Sequence, residues 1–436
     1  MQQIWQKRLI IYCETPSTYS NTVKHTARQR VYKIYQYFSV NLIYKPVTIL
    51  CLSQIIFMAF NAIDTIVSFL QPVNVFALSG DEGYKEYQLG SHISVFEENF
   101  PDIENADIVF VGCGETRGAG RQYTNTEAPD AIRSAFYALH YWHTDIIFAD
   151  IGNIKTGETL HDTYAALRTV ISELLQHKKR VVILGGSHDI MLAQYSAYAE
   201  LKQIVEVANV DATIDINIDP ALPSEGFLMP MLTNEPNFVS HYNHIGFQSY
   251  FVHPAMLETI DKLGFDCYRV GKVKEDMEEI EPVIRNAELF AFDIAAIQNS
   301  HAPANYLTPN GFNGEEACSI MRYAGMGQAT TVGIYGYLPQ QDVQNLTAKQ
   351  ISHMLWYLAD GVQKSKHEAE PGKDEDSFME FKIAFGDIDT TFLRSKKTGR
   401  WWMQMPDEKF IPCSYKDYVL ASQNEMPERW LRAIER

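Results

Sequence analysis

Short runs of β-branched and aliphatic residues alternate with amphipathic stretches from about residue 107 to residue 335. This alternation predicts βα units around a mainly parallel sheet, because a parallel strand pair needs a crossover connection that is usually a helix. No internal repeat or composition break divides the segment, so one α/β domain is expected. The eight predicted strands are residues 108–111, 146–151, 181–184, 204–210, 244–248, 267–270, 289–294 and 331–335. The plainest predicted helices are residues 129–140, 160–177, 315–324 and 347–363.

Three motifs with acidic or histidine side chains follow three of these predicted strands. They are Gly-Gly-Ser-His-Asp at 185–189, Asp-Ala-Thr-Ile-Asp at 211–215 and Asp-Ile-Ala at 293–295. The carboxyl ends of parallel strands meet at one edge of a sheet, so the three motifs are expected to share a pocket. Carboxylates with an imidazole suit a hard divalent cation such as manganese. Each motif alone can also be explained as an acidic loop after a strand. The three motifs in order, each after a strand, indicate a metal site.

At these motifs the chain resembles the ureohydrolase superfamily, which includes arginase, agmatinase and formimidoylglutamase. The superfamily's pattern is GGDH or a variant, then DAHxD, then DxDxxD, and these residues hold two manganese ions that activate one bridging hydroxide. Residues 118–120, 128–133 and 150–153 extend the resemblance, which covers about residues 60–340. It implies a three-layer α/β/α arginase-like fold with a mainly parallel eight-stranded central sheet. It also implies a homo-oligomer, either a trimer or a hexamer.

Carried over position by position, four residues of this chain match the ligands of one of the two ions. They are His188, Asp211, Asp215 and Asp293. The other ion depends on two further ligands, and those positions hold Thr213 and Ala295. One Mn2+ or another divalent metal ion is therefore expected, and a full binuclear centre is not.

Further positions of the resemblance have also lost their functional side chains. Gly336 stands where relatives carry a glutamate that binds the guanidinium group, and Gln298 stands at the last aspartate of the third motif. The segment 224–231 offers no histidine for substrate contact or proton transfer. Another residue could supply a substitute ligand for the second ion: several histidines are available, and Asp189 and Asp219 also lie near the motifs. The best candidate is His301, which follows the third motif, and the other histidines are His161, His241, His244 and His253.

Two functions are compatible with this pattern. In the first, the chain is a catalytically impaired or inactive ureohydrolase relative that acts as a binding or regulatory protein. In the alternative, it is a formimidoylglutamase-like hydrolase that uses one metal ion on a linear C–N bond of a small amidine, formimino or guanidino substrate. Asp189 is a weak candidate for the base in that reaction. Because two ions activate water and stabilise the intermediate better than one, efficient arginase-type hydrolysis is not expected.

The charge of the chain is unevenly distributed. Its net charge of −17 argues against a nucleic-acid partner, because phosphate binding needs a basic surface. Residues 1–57 instead carry seven Lys/Arg against one acid, a balance of +6. The apolar run at 47–60 has 14 residues, fewer than the roughly 20 of a spanning helix, so no membrane association is expected. This leader is interpreted as disordered or as lying upstream of a true start at Met58, with a membrane anchor as the alternative.

The C-terminal part of the chain changes composition twice. After an α/β domain of residues 58–363, residues 364–376 are predicted to form a charged, solvated linker. Residues 377–436 are predicted to be an aromatic-rich extension packed on the domain, and their Trp, Tyr and Arg content makes a protein-binding surface the alternative. The six cysteines contain no CxxC pair, which favours reduced thiols and a cytoplasmic location.

Overall fold

A mainly parallel sheet forms the centre of the α/β domain. Its ten strands in the described residues are β1 (Leu70–Gln71), β2 (Ile93–Val95), β3 (Ile108–Gly112), β4 (Phe148–Ile154), β5 (Arg180–Leu184), β6 (Val205–Val210), β7 (Val239–Phe247), β8 (Asp266–Arg269), β9 (Leu289–Asp293) and β10 (Thr331–Tyr335). The computed structural model describes residues 65–121, 127–305, 307–385 and 388–435, and residues 63–436 form one unit. The basic leader at 1–57, the apolar run at 47–60 and Met58 lie outside the described residues.

Eight of these strands, β3 to β10, run parallel in the order β4-β3-β5-β10-β9-β6-β7-β8. β9 and β10 are the last strands of this sheet along the chain, yet they lie between β5 and β6. The carboxyl ends of these four strands are therefore neighbours at the middle of the sheet edge. The predicted α/β class and all eight predicted strands are confirmed. The sheet exceeds eight strands because β1 and β2 pair with the free side of β4. With two and three residues, they are too short to show a periodic pattern.

Helices cover both faces of the sheet. In the described residues of this domain they are α1 (Val75–Ser79), α2 (Glu127–Tyr137), α3 (Leu160–Gln176), α4 (Met191–Glu200), α5 (Leu228–Thr233), α6 (Pro254–Lys262), α7 (Val270–Glu275), α8 (Glu281–Ile284), α9 (Gly314–Met326) and α10 (Leu346–Ser365). One apolar core lies between the sheet and α2, α9 and α10, and a second lies between the sheet and α3 and α4. The fold therefore has the three layers that the resemblance implies.

Local sequence explains the elements that carry the strand-end motifs. β5, β9 and β10 are buried along nearly their whole length, which is why they consist of continuous apolar runs instead of alternating ones. α3 begins at a capping box in which Thr159 and Asp162 bind each other's backbone N–H groups, and Asn313 and Glu316 do the same at α9. These caps fix the points at which the chain enters the helices after the sheet edge.

The C-terminal extension is a four-stranded antiparallel sheet followed by two helices. Its elements are β11 (Phe378–Phe385), β12 (Ile388–Ser395), β13 (Trp401–Gln404), β14 (Phe410–Cys413), α11 (Tyr415–Ser422) and α12 (Glu428–Glu435). Arg285, just after α8, joins the extension to the α/β domain. Its Nη1 donates to Trp401 O at 2.6 Å and its Nη2 to Cys413 O at 3.4 Å. The extension thus contacts the domain through a buried guanidinium group.

The charged segment 364–376 is only partly solvated. Glu368 pairs with Arg400 and accepts hydrogen bonds from Ser395 and Thr398, and its carboxylate is almost inaccessible. The burial of Glu368 differs from the predicted solvated linker. A carboxylate can be buried when it pairs with a cation, and Arg400 of the extension provides that cation.

Two further properties of the described residues bear on the sequence predictions. None of their helices has the length and apolarity that a membrane crossing requires. Cys113, Cys267, Cys318 and Cys413 are free thiols. Cys13 and Cys51 lie outside the described residues.

Candidate metal centre

Four side chains from three strand ends converge at the middle of the sheet edge. His188 follows β5, Asp211 and Asp215 follow β6, and Asp293 is the last residue of β9. His188 Nδ1 lies 3.1 Å from Asp211 Oδ2, 3.2 Å from Asp215 Oδ2 and 3.7 Å from Asp293 Oδ2. Ligand atoms of His188, Asp211 and Asp215 all lie within 4.8 Å of one another. The structure therefore brings together all four residues that the sequence assigns to one ion.

Backbone N–H groups hold two of these carboxylates. Asp211 Oδ1 accepts a hydrogen bond from the N–H of Ala212 at 2.6 Å, and Asp293 Oδ1 accepts one from the N–H of Ala295 at 2.7 Å. The other oxygen of each carboxylate, Oδ2, is the atom that approaches His188 Nδ1. Each aspartate is thus anchored through one oxygen and directed toward the shared point through the other.

A buried chain of hydrogen bonds orients the imidazole of His188. His188 Nε2 lies 2.9 Å from Asn209 Oδ1, and an amide oxygen only accepts, so Nε2 carries the proton. Asn209 Nδ2 donates to Tyr242 OH at 3.1 Å, and Tyr242 OH lies 2.9 Å from His244 Nδ1. His244 Nε2 lies 3.3 Å from Asp211 O, and burial lowers the pKa of His244 to about 4, which keeps it neutral. With these roles fixed, His188 Nδ1 is left to face the carboxylates, as the ligand nitrogen of a metal-bound histidine does.

The charges of the cluster favour a bound cation. His188 Nδ1 is buried and, among the described residues, has no hydrogen bond of acceptable geometry. Burial and the repulsion between the aspartates raise the pKa of Asp215 to about 7 and that of Asp293 to about 6. Burial lowers the pKa of His188, but the neighbouring carboxylates outweigh it and raise that pKa well above its ordinary value. The cluster carries more negative charge than one imidazole balances, and its donors fit a divalent cation.

The cluster lies at the bottom of a cavity of about 350 Å³. The cavity is lined by the loops that follow β3, β5, β6, β9 and β10. Among the described lining residues, the charged side chains outside the four-residue cluster are Arg121 and Glu225. Neither residue is among the site residues predicted from the sequence. Arg121 directly follows the glycine-rich segment 118–120, and Glu225 lies in the segment 224–231, where only a histidine was sought.

Residues 106–360, more than half of the chain, match the arginase family. The chain belongs to the arginase family. Among proteins similar to it is the formimidoylglutamase of Vibrio parahaemolyticus serotype O3:K6, 24% identical over 293 residues that cover 60% of this chain and 84% of that protein. The formimidoylglutamase of Hahella chejuensis is 28% identical over 252 residues that cover 53% of this chain and 77% of that protein.

Solved structures share the fold of this arginase-family chain. The formimidoylglutamase of Bacillus subtilis superposes with a TM-score of 0.58 at 16% identity, covering 66% of this chain and 96% of that one. The formiminoglutamase of Trypanosoma cruzi with Mn2+2 gives a TM-score of 0.56 at 16% identity, covering 63% of this chain and 98% of that one. The resemblance stated from the three motifs, and the arginase-like fold that it implies, are confirmed.

Two positions of this arginase-family site depart from the family's ligand pattern. Thr213 Oγ1 lies 3.1 Å from Asp211 Oδ2 and 3.2 Å from Asp215 Oδ1, so its hydroxyl bonds to the carboxylates where a relative supplies an imidazole. Ala295 lines the cavity with a methyl group and contacts Asp293 through its N–H. Among the described residues, the potential metal cluster consists of His188, Asp211 and Asp215, with Asp293 beside it, and neither replaced position adds a ligand.

Gly336 lacks a side chain for a steric reason. Its φ is +80°, and a Cβ at this position would lie 2.5 Å from Asp293 Oδ1. Its N–H donates to Gly186 O at 2.8 Å, which joins the end of β10 to the first motif. A carboxylate side chain is excluded here while Asp293 keeps its place, so a substrate cation would need a carboxylate from another loop.

Asp189 and His301 do not reach the cavity. Asp189 is fully buried, its Oδ2 accepts a hydrogen bond from Tyr164, and it is absent from the cavity lining. The chain makes a 3-10 turn at His188–Ile190, in which successive side chains point about 120° apart, so Asp189 is turned away from its neighbour His188. His301 is exposed and outside the lining. These positions do not support Asp189 as the base or His301 as a substitute ligand. The other histidines considered, His161, His241, His244 and His253, are also outside the lining.

Proposed function

We propose that this chain is a single-metal hydrolase that cleaves a linear C–N bond in a small formimino, amidine or guanidino compound, as a formimidoylglutamase does. The observation that carries the proposal is the convergence of His188 Nδ1 and three carboxylate oxygens in the cavity at the sheet edge. The similar formimidoylglutamases favour this hydrolase over the inactive relative that the sequence analysis placed first.

In this proposal His188, Asp211, Asp215 and Asp293 hold the metal ion. When bound, a divalent ion lowers the pKa of water and polarises the bond under attack. The hydrogen bonds from Asn209 and from the backbone N–H groups hold the ligands in position beforehand, so little rearrangement is needed on binding. Two ions would activate water further, and each ~1.4 kcal/mol lost from transition-state stabilisation lowers the rate tenfold. A slow hydrolase is therefore expected.

Arg121 and Glu225 are proposed to bind the substrate. An amidine or formimino group is cationic near neutral pH and needs a carboxylate partner, which Gly336 cannot provide. Glu225 is the acidic residue of the described lining that is not committed to the metal cluster, so we assign it to the amidinium group. Arg121 would then bind a carboxylate at the other end of the substrate, because a guanidinium group pairs with a carboxylate in a bidentate manner. A cavity of about 350 Å³ suits a molecule of this size.

A binding or regulatory protein without hydrolytic activity is the second candidate. Thr213 and Ala295 favour it, because they replace the ligands that the second ion uses and the Thr213 hydroxyl bonds to two of the remaining carboxylates. In that case the cavity would hold one ion and a ligand without cleaving it.

Several properties remain predictions within this proposal. Manganese is favoured because carboxylates and imidazole suit it and because the similar Trypanosoma cruzi structure was solved with Mn2+2. A homo-oligomer is predicted from the family resemblance, and a cytoplasmic location from the cysteine pattern. A protein partner is predicted from the aromatic content of the extension.

Metal analysis combined with an activity assay tests the proposal. The purified protein is loaded with MnCl2, desalted, and assayed for release of ammonia, formamide or urea from formimidoylglutamate, agmatine and arginine. We expect about one ion per chain and slow hydrolysis, because one four-ligand position is complete. His188→Ala should lose both the ion and the activity. The matched control His301→Ala, which removes an exposed histidine outside the cavity, should keep both.

Each outcome separates the candidates. Protein that retains no manganese, or an activity that His188→Ala leaves unchanged, would refute the single-metal hydrolase. Retention of one ion without hydrolysis of any substrate would favour the binding protein. The double variant Thr213→His/Ala295→Asp should raise the metal content to about two ions per chain, because it restores the two missing ligand types.

A further inference from the structure

A second and larger cavity, of about 760 Å³, lies between the C-terminal extension and the α/β domain. The domain contributes residues of α9, the end of α10 and the segment around α8, including Arg322 and Lys364. The extension contributes the turn between β12 and β13 with the residues around it, including Arg394. This cleft is separate from the metal centre, with which it shares no lining residue.

The walls of the cleft are held together by two arginines whose charges are already balanced. Arg285 lies 4.5 Å from the centroid of the Trp402 ring and Arg400 lies 5.4 Å from it. Arg285 pairs with Glu281, and Arg400 pairs with Glu368. The cleft is therefore a product of the folded structure and needs no ligand to form.

Two other cations in the cleft form no ion pair with any residue that the structure describes. Arg394 is exposed beside the ring of Trp401, at 5.8 Å from its centroid, and Lys364 is half-buried at the end of α10. Within the described residues neither side chain forms a hydrogen bond or an ion pair. A half-buried cation without an ion-pair partner is unfavourable, which applies to Lys364, and the exposed Arg394 lines the same cleft, so both are available to an incoming anion.

The acidic residues of the cleft do not cancel this excess. Glu281 pairs with Arg285, Glu279 lies 3.4 Å from Arg429, and Asp276 lies 3.8 Å from Lys416. Glu278 is exposed. Six Lys/Arg and four Asp/Glu line the cleft, and two of the cations, Arg322 and Arg400, pair with Asp360 and Glu368 outside the lining. Arg394 and Lys364 are therefore the lining cations that no carboxylate of the described residues neutralises, in a chain whose net charge is −17. A local positive site on an acidic protein attracts small anions selectively.

We propose that this cleft binds a small molecule that carries a phosphate or carboxylate group, with Arg394 and Lys364 as its anion-binding residues. The planar guanidinium of Arg394 can bind two oxygens of such a group at once, and Lys364 adds a point charge from the opposite wall. The volume of about 760 Å³ lies within the usual range for small-molecule sites. Because the two residues belong to the extension and to the domain, the bound anion links the two.

Isothermal titration of the full-length protein tests the site, with inorganic phosphate and glutarate as separate probes in a buffer of constant ionic strength. We expect saturable binding of at least one probe. Arg394→Gln and Lys364→Gln should each weaken it about tenfold, since a charge-assisted hydrogen bond contributes roughly that factor. The control Lys382→Gln removes a cation of the same extension that is outside the cleft, and should leave affinity within about twofold.

The two probes also identify the group that is recognised. Tighter binding of phosphate assigns a phosphate-bearing ligand, and tighter binding of glutarate assigns a carboxylate-bearing one. Failure of both probes to bind at millimolar concentration, or binding that neither Arg394→Gln nor Lys364→Gln weakens, would overturn the proposal. Because the two variants lie on different walls, misfolding of one still leaves the other to decide. His188→Ala should not alter this binding, so the result is independent of the hydrolase proposal.

Discussion

Replacement of Asn209 by leucine tests whether the buried hydrogen-bond chain makes His188 a metal ligand. Asn209 Oδ1 accepts from His188 Nε2 at 2.9 Å, and both side chains are almost fully buried. Leucine has the same number of side-chain heavy atoms and the same branching but no acceptor, so Asn209→Leu leaves the Nε2–H without a partner. Although burial lowers the pKa of His188, the neighbouring carboxylates raise it well above its ordinary value and so favour a proton on Nδ1. Metal binding requires the form that keeps its proton on Nε2 and frees Nδ1. Without the Asn209 acceptor that form is less stable.

The effect on metal affinity follows from the lost contact with His188 Nε2, and the lost hydrogen bond from Asn209 Nδ2 to Tyr242 OH lowers the free energy of unfolding in addition. A buried donor without a partner costs roughly 1–3 kcal/mol. Loss of a hydrogen bond behind a metal-ligating histidine typically weakens metal affinity about 10–100-fold, which is a similar free energy. Asn209→Leu should therefore raise the Kd for Mn2+ about 10–100-fold while His188 itself is unchanged. Titration of free Mn2+ followed by electron paramagnetic resonance measures this Kd directly.

Asn243→Leu is the matched control for this substitution. Asn243 is also a buried asparagine, on the neighbouring strand β7, but its amide lies 3.3 Å from Glu206 Oε1 and it does not contact His188. Its replacement should lower the free energy of unfolding without changing the Kd for Mn2+. The reasoning fails if Asn209→Leu binds Mn2+ as tightly as the wild type, or if Asn243→Leu weakens binding to the same degree.

Three further predictions concern the surroundings of the site and the extension. Gly336→Ala should lower both Mn2+ affinity and the free energy of unfolding, because its Cβ would lie 2.5 Å from Asp293 Oδ1. Gly264→Ala has a similar φ of +76° with no atom within 4 Å and should only add about 1 kcal/mol of backbone strain in urea unfolding. Arg285→Met removes the nearer cation of the buried Glu281, which keeps Arg400 Nη1 at 3.8 Å, and also removes the hydrogen bonds to Trp401 O and Cys413 O. It should cost roughly 3–5 kcal/mol in urea unfolding, whereas Lys382→Met on the exposed surface should cost less than about 1 kcal/mol. Burial raises the pKa of Glu368, but Arg400, Ser395 and Thr398 outweigh it and hold that pKa below its ordinary value. The ionised Glu368 carboxylate adds to the free energy of unfolding above its unfolded-state pKa, and this stabilisation is lost as the pH falls through the lower folded-state pKa. Glu368→Gln should therefore destabilise the protein near about pH 6 and much less near about pH 3. An equal effect at both pH values would contradict the role of the Glu368 charge.

The sequence predicted most of the fold because the relevant signals are local. β5, β9 and β10 are short apolar runs and α3 and α9 are amphipathic segments with caps, so each element can be read from its own residues. The same applies to His188, Asp211 and Asp293, each of which lies at the end of a strand or within a few residues after it. Their convergence could be expected because parallel strands end at one edge. β1 and β2 were not predicted because each is defined as a strand only by its pairing with β4, which lies far away in the sequence.

The rest of the site depends on contacts between segments that are distant in the chain. The insertion of β9 and β10 between β5 and β6 sets which loops face one another, and no local pattern encodes that order. Asp189 shows the consequence, because it adjoins a predicted ligand in sequence and yet bonds to Tyr164 behind the cavity. Arg121 and Glu225 show the reverse, because they come from separate loops and line one cavity only in the folded molecule.

The sequence by itself determined the arginase-like fold, because strand periodicity is a property of the chain alone. It also places a threonine at 213 and an alanine at 295, where the family resemblance implies ligands of a second ion, and residue identity needs no structure. Only the tertiary structure decided that Asn209, Tyr242 and His244 orient His188, and that Gly336 has no room for a carboxylate. These features are distances between atoms on different strands. They are fixed by the order and packing of the sheet, which no single segment specifies.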